Sequence, residues 1–507
     1  MQSTSEPLRY RSAMISSSYS RGLALQKLGR HEEAALAIQD AINTAPGFAP
    51  ALFHLGISLF ELGLYTDAVA AYEAAVDVEP AMFEARNNLG MALQKLGKYQ
   101  SALESYERAL EINPGFAPLY NSRGNCLVLL DRASDALADF ERAITINPDY
   151  ADAINNRAIL LHRSNRLDEA AVGYDRAIAL AAAHGVDFAA ARFNRSLLRL
   201  LRGDFATGWA EYDYRLHLDG YHGAARHVQQ WDGQPVDGVL FVRAEQGYGD
   251  TFQFVRYLSL AREHCTRLVF ECQYGLAGLL EASGLCDEIV ERPESGAHLP
   301  APDGAAIIYV QSLPRVFQTT ESTISNRVPY LRAPEYRRVK WAEVIESMEP
   351  RERGRRRVGI VWRGNQTEPV SRLRSCELSD FAVLAAPDIA FFSLQVGVGL
   401  SRSTAPRFQE AQMVTRLGDD FADFADTAAA IEQMDLVITI DTSVAHLAGA
   451  LGKPVWTLLP WCPDWRWMEY RIDSPWYPTM RLFRQPGLGQ WEPVFENVKN
   501  ALTAEFP

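Results

Sequence analysis

After a short apolar run at 239–243 the chain enters Glu245-Gln246-Gly247-Tyr248-Gly249-Asp250-Thr251. Glycines at Gly247 and Gly249 let the backbone approach a ligand, and a carboxylate at such a turn can take a proton from a hydroxyl. The plainer use of Asp250 and Thr251 is to cap the free amides of the helix that follows. A second segment, 438–460, ends an apolar run at Asp441 and passes through Thr442 and Ser443 into a small-residue helix with His446 about one turn in. Unpaired N–H groups and hydroxyls at a helix start suit an anion, most naturally a phosphate, and His446 would add a donor; a packed helix histidine is the alternative. A third turn, Trp362-Arg363-Gly364-Asn365, is followed by Arg372 and Arg374, whose planar forks suit phosphate or carboxylate, or else form a solvated basic face. Six tryptophans, Trp456, Trp461, Trp465, Trp467, Trp476 and Trp491, interleave with Asp464, Arg466, Arg471 and Arg481. Such rings stack on a base or a sugar, or fill a core.

Strands and helices must hold these groups. The apolar runs GVLFV, RLVFEC and AIIYVQS, and after the basic stretch 351–357 VGIVWRG, AFFSLQV, DLVITID and PVWTLLP, alternate with amphipathic stretches. That alternation predicts parallel sheets covered on both faces. The Arg-rich stretch divides the region into 236–345 and 346–507, two Rossmann-like lobes facing a cleft, with ligands expected at the carboxyl ends of the strands. Residues 218–235 read as a linker.

The first part of the chain obeys a different rule. Gly22, Gly56, Gly90, Gly124 and Ala158 recur every 34 residues, as do Ala34, Ala68, Ala102, Ala136 and Ala170, and Pro46, Pro80, Pro114 and Pro148. Small residues where two antiparallel helices cross, a bulky residue four after the central Ala (Tyr72, Tyr106, Phe140, Tyr174), and a proline stop make a helical-pair repeat that stacks into a solenoid. Repeats start near 15, 49, 83, 117 and 151, and a degenerate sixth pair at about 189–217 caps them, so the solenoid is expected over 15–217 with a leader at 1–14. Position six of each repeat reads Ser20, His54, Asn88, Ser122, Asn156 and Asn194, with Asn121 beside it. Amides that donate and accept regardless of side-chain sequence can grip an extended polypeptide, or simply be solvated.

Composition narrows the classes. A formal net charge of −13 argues against a general nucleic-acid binder. The six cysteines, Cys126, Cys265, Cys272, Cys286, Cys376 and Cys462, show neither a C-x-x-C pair nor metal-ligand spacing. No apolar run is long enough to span a bilayer and the first residues lack a secretory signal, so the cytoplasm is the expected compartment.

The repeat pattern resembles the tetratricopeptide repeat. The stretches EQGYGDTFQFVRYL, VWRGN…RLRS and DFADTAAAIEQMDLVITIDTSVAHLAGALGKPVWTLLPWCPDWRW resemble bacterial proteins that fuse such repeats to a glycosyltransferase of the GT-B fold related to the heptosyltransferases, a layout similar to the O-GlcNAc transferases. The resemblance implies an α-helical solenoid joined to an α/β domain of two Rossmann-like lobes, 236–345 on the acceptor side and 346–507 on the nucleotide-sugar side. It places the general base on Asp250 and donor binding on Gly247, Gly249, Arg363, Asn365, Asp441, Thr442, Ser443 and His446. With the polar row of the repeats read as the groove, acceptor binding is expected on His54, Asn88, Asn121, Asn156 and Asn194. Relatives carry His and Asp where this chain has Glu368 and Ser371. The implied reaction is metal-independent transfer from a nucleotide sugar, without a bound cofactor, to Ser or Thr of a protein held in the repeats. Flagellin and a CMP-activated nonulosonic acid such as pseudaminic acid are the acceptor and donor it points to. A non-catalytic adaptor and a lipopolysaccharide or glycan transferase are the competing readings, and self-association of the solenoid stays open.

Overall fold

The computed structural model describes residues 6–218, 230–364, 371–396 and 414–505. The chain divides into two compact units, Met1–His162 with Asp168–Phe188, and Arg163–Leu167 with Ala189–Pro507.

The first unit is built from helical pairs: α1 (Glu6–Lys27) with α2 (His31–Thr44), α3 (Ala49–Glu61) with α4 (Tyr65–Val78), α5 (Phe83–Lys95) with α6 (Tyr99–Ile112), α7 (Ala117–Leu129) with α8 (Ala133–Ile146), and α9 (Ala151–Arg163) with α10 (Leu167–Ala183). The repeating small residues mark where the helices cross. A Cβ on Gly56, Gly90 or Gly124 would stand 2.5, 2.6 or 2.6 Å from the ring of Tyr72, Tyr106 or Phe140. Those rings are buried. Helices α2, α4, α6 and α8 each end two residues before a repeating proline, because the residue preceding proline is pushed out of helical backbone. The turn inside each pair needs a left-handed residue, supplied by Gly29, Gly63 and Gly97 in the first three pairs and by Asp131 and Asn165 in the last two. The expected leader at 1–14 is corrected: α1 already begins at Glu6, because nothing in EPLRYRSAM interrupts a helix that continues into the first repeat.

The second unit begins with α11 (Ala189–Leu201), α12 (Phe205–Tyr212) and a 3₁₀ turn over Asp213–His217. The pair expected to cap the solenoid therefore packs as part of the sheet-bearing unit, so the compact division falls at Phe188 rather than at 217. Arg195 and Arg199 pair with Glu211 across the two helices, and the Asp204 carboxylate accepts the Thr207 N–H to cap α12. Most of the expected linker, 219–229, lies outside the described residues.

Two wholly parallel sheets follow. Strands β1 (Val236–Arg243), β2 (Cys265–Cys272), β3 (Glu288–Glu291) and β4 (Ala306–Tyr309) form sheet 1 in the order β3-β2-β1-β4. Strands β5 (Arg356–Val361), β6 (Ile389–Ser393), β7 (Thr415–Arg416), β8 (Leu436–Ile440), β9 (Val455–Leu459) and β10 (Met480–Arg484) form sheet 2 in the order β10-β9-β8-β5-β6-β7. Strands β6, β8 and β9 are buried along their whole length, as expected of parallel strands covered on both faces. The lobe boundary at 345 needs correction. Helix Glu335–Met348 belongs to the second sheet, because Trp341 Nε1 (2.6 Å) and Arg337 Nη1 (2.9 Å) donate to the buried Asp426 carboxylate of helix Phe424–Glu432. No helix among the described residues is long and apolar enough to cross a membrane.

Candidate functional site

In each sheet the winding reverses beside the first strand, between β1 and β4 and between β5 and β8. The crevice outside the carboxyl ends of such strands is where an open α/β sheet takes ligands. The loop after β1 is Ala244–Gly247 and the residue after β8 is Asp441, so two of the sequence-derived candidates sit at these places.

The crevice of sheet 1 is filled by the chain itself. Arg215, which has no exposed surface, reaches from the 3₁₀ turn after α12, grips Glu245 with two N–H groups, and donates to Asp213 (2.6 Å) and Ser312 (2.9 Å). Tyr212 Oη donates to Gln311, and the Gln311 N–H donates to Glu245 (3.2 Å). Every charge in the cluster has an opposite partner, as a buried network requires.

Beside it, the loop enters helix α13 (Tyr248–Phe254) through Gly247. Asp250 sits at the third helical position. Its Oδ2 accepts the Gly247 N–H at 2.9 Å, and its Oδ1 is held by Nη2 of Arg466 from the other lobe. Asp250 thus caps the helix with one carboxylate oxygen and pairs with Arg466 through the other. Arg466 also donates from Nε to Gln253 (2.6 Å) and from Nη1 to Asp464 (2.8 Å), with its guanidinium 4.5 Å above the Trp465 ring. Burial pushes the Asp250 carboxyl above the usual range, while Arg466 and the Gly247 N–H pull it down.

Gly249 explains how the lobes meet. A Cβ there would lie 2.9 Å from His446 Cδ2 and 3.4 Å from the Ser443 Cα, so helix Ser443–Ala450 presses directly on α13. Asp441 is buried at the end of β8. Burial first, then the Asp464 carboxylate, raises its carboxyl to about 6, opposed by Arg374, the Trp467 indole and Arg466. Thr442 is the N-cap, its hydroxyl 3.2 Å from that of Thr439, and Ser443 opens the helix. His446 is buried, lies 2.9 Å from the Tyr477 hydroxyl through Nδ1, and stacks on Trp467 at 5.1 Å. Burial, then Arg466, Arg256 and Arg374, hold its pKa well below the ordinary value. The histidine expected to add a donor to the anion site is therefore neutral near pH 7. When Tyr477 donates to Nδ1 the remaining proton sits on Nε2, toward Gly249, and remains available for donation.

Other candidates fall elsewhere. Arg363, expected on the donor, pairs with Glu377, while its backbone N–H donates to Gln395 (3.0 Å). Asn365 and Glu368 lie outside the described residues. In the helical pairs the expected row is partly self-satisfied. The Asn156 amide donates to the buried Asn121 (2.9 Å), Asn88 accepts from Asn87 (3.2 Å), and His54 pairs with Gln26 (2.8 Å). Asn121 thus braces its neighbour instead of facing outward. Asn194, on α11, belongs to the second unit and not to that row.

Sequence reasoning named Arg466 and Asp464 only as residues between tryptophans and missed Tyr477 and Arg215. The single usable signal was Asp464-Trp465-Arg466-Trp467, charges alternating with large rings immediately after a buried strand.

Profiles of the tetratricopeptide repeat match residues 19–75 and 53–117, 117–150, and 140–171. Residues 19–171 are therefore tetratricopeptide repeats. Protein FlbA of Caulobacter vibrioides (strain ATCC 19089 / CIP 103742 / CB 15) is 27% identical over 352 residues, 62% of this chain and 55% of that protein. The chain thus spans about half the length of the curated relative it matches. Among solved structures, a thermophilic TPR protein of Thermus thermophilus is 25% identical, covering 37% of this chain and 99% of that one with a TM-score of 0.33. YrrB, described as a TPR protein with an unusual peptide-binding site, is 22% identical, covering 36% and 91%, with a TM-score of 0.30.

Proposed function

We propose that this protein transfers a glycosyl group from a nucleotide-activated donor to a Ser or Thr hydroxyl of a polypeptide bound by the tetratricopeptide repeats. The observation that carries this reading is the meeting of Asp250, Arg466, Asp464, Asp441 and His446 where the carboxyl ends of two parallel sheets approach each other. Asp250 takes the proton of the acceptor hydroxyl as its oxygen bonds to the anomeric carbon. The bond from that carbon to the donor phosphate breaks, and its electron pair leaves with the phosphate. Amides at Ser443, the Nε2 proton of His446 and the Arg466 guanidinium are the groups available to the departing charge, an arrangement in which fixed donors supply much of the barrier lowering. Among the bacterial repeat–glycosyltransferase fusions that the chain resembles, those that modify flagellin with a CMP-activated nonulosonic acid supply the acceptor and donor of this proposal.

Incubation with flagellin and CMP-pseudaminic acid is expected to add the sugar mass to the acceptor, and Asp250→Ala to abolish the gain. A gain that survives Asp250→Ala removes the assigned base. A second reading, a repeat adaptor whose α/β unit only docks, is favoured by the self-pairing of Arg363 with Glu377. Thermal shift with CMP, UDP, GDP and ADP separates the two. Nucleotide at about 100 times its dissociation constant adds about 2.7 kcal/mol to a transferase and nothing to an adaptor.

A further inference from the structure

Arg466 bridges carboxylates of both lobes in a way that simple packing does not require. Its three nitrogens bond to Asp250, Gln253 and Asp464, and two of these partners, Asp250 and Gln253, lie on α13 more than two hundred residues away in the chain. The guanidinium rests on Trp465, which packs edge-on against Trp209 (5.3 Å) and Tyr212 (5.9 Å) of α12, so its position is set from the capping pair as well. One positive group thus serves two carboxylates, with Asp441 a third close by.

We propose that Arg466 is a positioning residue that couples donor binding to the readiness of Asp250: the anionic leaving group of the donor takes the guanidinium from Asp250, and the released carboxylate becomes the stronger base. This rests on the glycosyl-transfer reading and deepens it. A carboxylate beside a guanidinium is a weak base because the pairing favours its ionised form, and losing that partner moves its pKa upward by about 1–3 units. A base gains strength as its pKa approaches the working pH. The exchange therefore keeps Asp250 weak until a donor is present. The other charged or titratable groups facing Asp250 are Arg215, which also lowers it, and the Glu245 that Arg215 grips; Tyr212 on α12; Asp464 in the second lobe; and His446 across Gly249.

The test is calorimetric titration of the full chain with CMP and with UDP, in buffers of differing ionisation enthalpy between about pH 5 and 7, which counts protons taken up on binding. After correction for the nucleotide's own phosphate, whose second pKa is about 6 and whose protonation on binding is followed by phosphorus NMR, the expected result for the native protein is uptake of a fraction of a proton, at most about one for a single carboxylate. Asp250→Asn is expected to bind nucleotide without uptake. Arg466→Gln is expected to bind at least about tenfold more weakly, again without uptake, and Arg466→Lys to keep part of both effects. Binding without uptake by the native protein overturns the coupling. So does uptake that persists in Asp250→Asn, which assigns the proton to His446, Asp441 or Asp464. If Arg466→Gln fails to fold, the comparison of native protein with Asp250→Asn decides alone. Absence of nucleotide binding overturns the glycosyl-transfer reading, and the coupling falls with it. Transfer activity without proton uptake overturns the coupling only.

Discussion

Sheet 1 and sheet 2 offer the same crevice, outside the carboxyl ends of the two strands where the winding reverses, and the chain treats the two oppositely. In the first, Arg215, Glu245, Asp213 and Ser312 satisfy one another and fill the position a ligand would take. In the second, burial and the Asp464 carboxylate raise the Asp441 carboxyl to about 6 and burial holds His446 neutral, so the groups there do not neutralise one another as the first cluster does. Topology offers a position; the pairing of the polar groups around it decides whether the position is structural or available. Perturbed titration occurs at both crevices, but only at the second and at Asp250 is it left without a closed set of opposite charges, which is where function is expected to lie.

The sharpest way to break this contrast is Arg215→Met. Removing one partner of a buried network leaves Glu245 without its counter-charge and Asp213 with Arg315 alone, at a cost of about 3–5 kcal/mol. All ten tryptophans fall between Trp209 and Trp491, so denaturant unfolding followed by tryptophan fluorescence reports on the second unit alone. A loss below about 1 kcal/mol would mean the first crevice is not a structural plug. Arg215→Met combined with Glu245→Gln is expected to recover part of the loss.

Gly249→Val probes the wall of the contact. Its new Cβ meets His446 at 2.9 Å, and overpacking of this kind costs about 1–3 kcal/mol. Nucleotide-induced stabilisation is expected to vanish with it, whereas Arg215→Met, if folded, retains some.

Asp441 and His446 carry opposite pH signatures. Asp441 titrates near 6 when folded, above its unfolded value of about 3.9, so the folded state holds more protons between these values and stability falls as pH rises through that window. His446 titrates below its unfolded value, so the unfolded state holds more protons and stability is lost as pH falls below about 6.5. Asp441→Asn is expected to gain stability relative to the native protein between about pH 4 and 7, by about 1 kcal/mol or more; His446→Gln is expected to lose less on acidification. Unfolding midpoints at about pH 5 and 7.5 check both signs. The smallest effect belongs to Tyr477→Phe, which deletes one buried hydrogen bond to His446, about 0.5–1.5 kcal/mol by the same fluorescence measurement.

The helical pairs were legible to the residue because each crossing is local. Gly56 meets Tyr72 sixteen positions on, within one repeat, and the pattern recurs until its period cannot be missed. Strands β1, β2, β4, β5, β6, β8 and β9 were legible as apolar runs, while β3, β7 and β10 were passed over because they are short or carry alternating charges. Asp250 and the Asp441–His446 segment were legible as strand-to-helix turns. The pairing of Arg363 with Glu377 was not legible, because an arginine at a strand end before a glycine has the same sequence whether it meets a ligand or a carboxylate fourteen residues on.

The repeat, its period, the residues at its crossings and the parallel character of the strands all follow from spacing within a few tens of residues. Which charges meet follows from packing instead. Residue order does not place Arg466 on Asp250, Arg215 on Glu245 or His446 against Gly249; those pairings exist because two sheets and a capping helical pair pack into one unit and bring distant side chains into a desolvated space, where an unpaired charge is costly and partners are fixed by geometry.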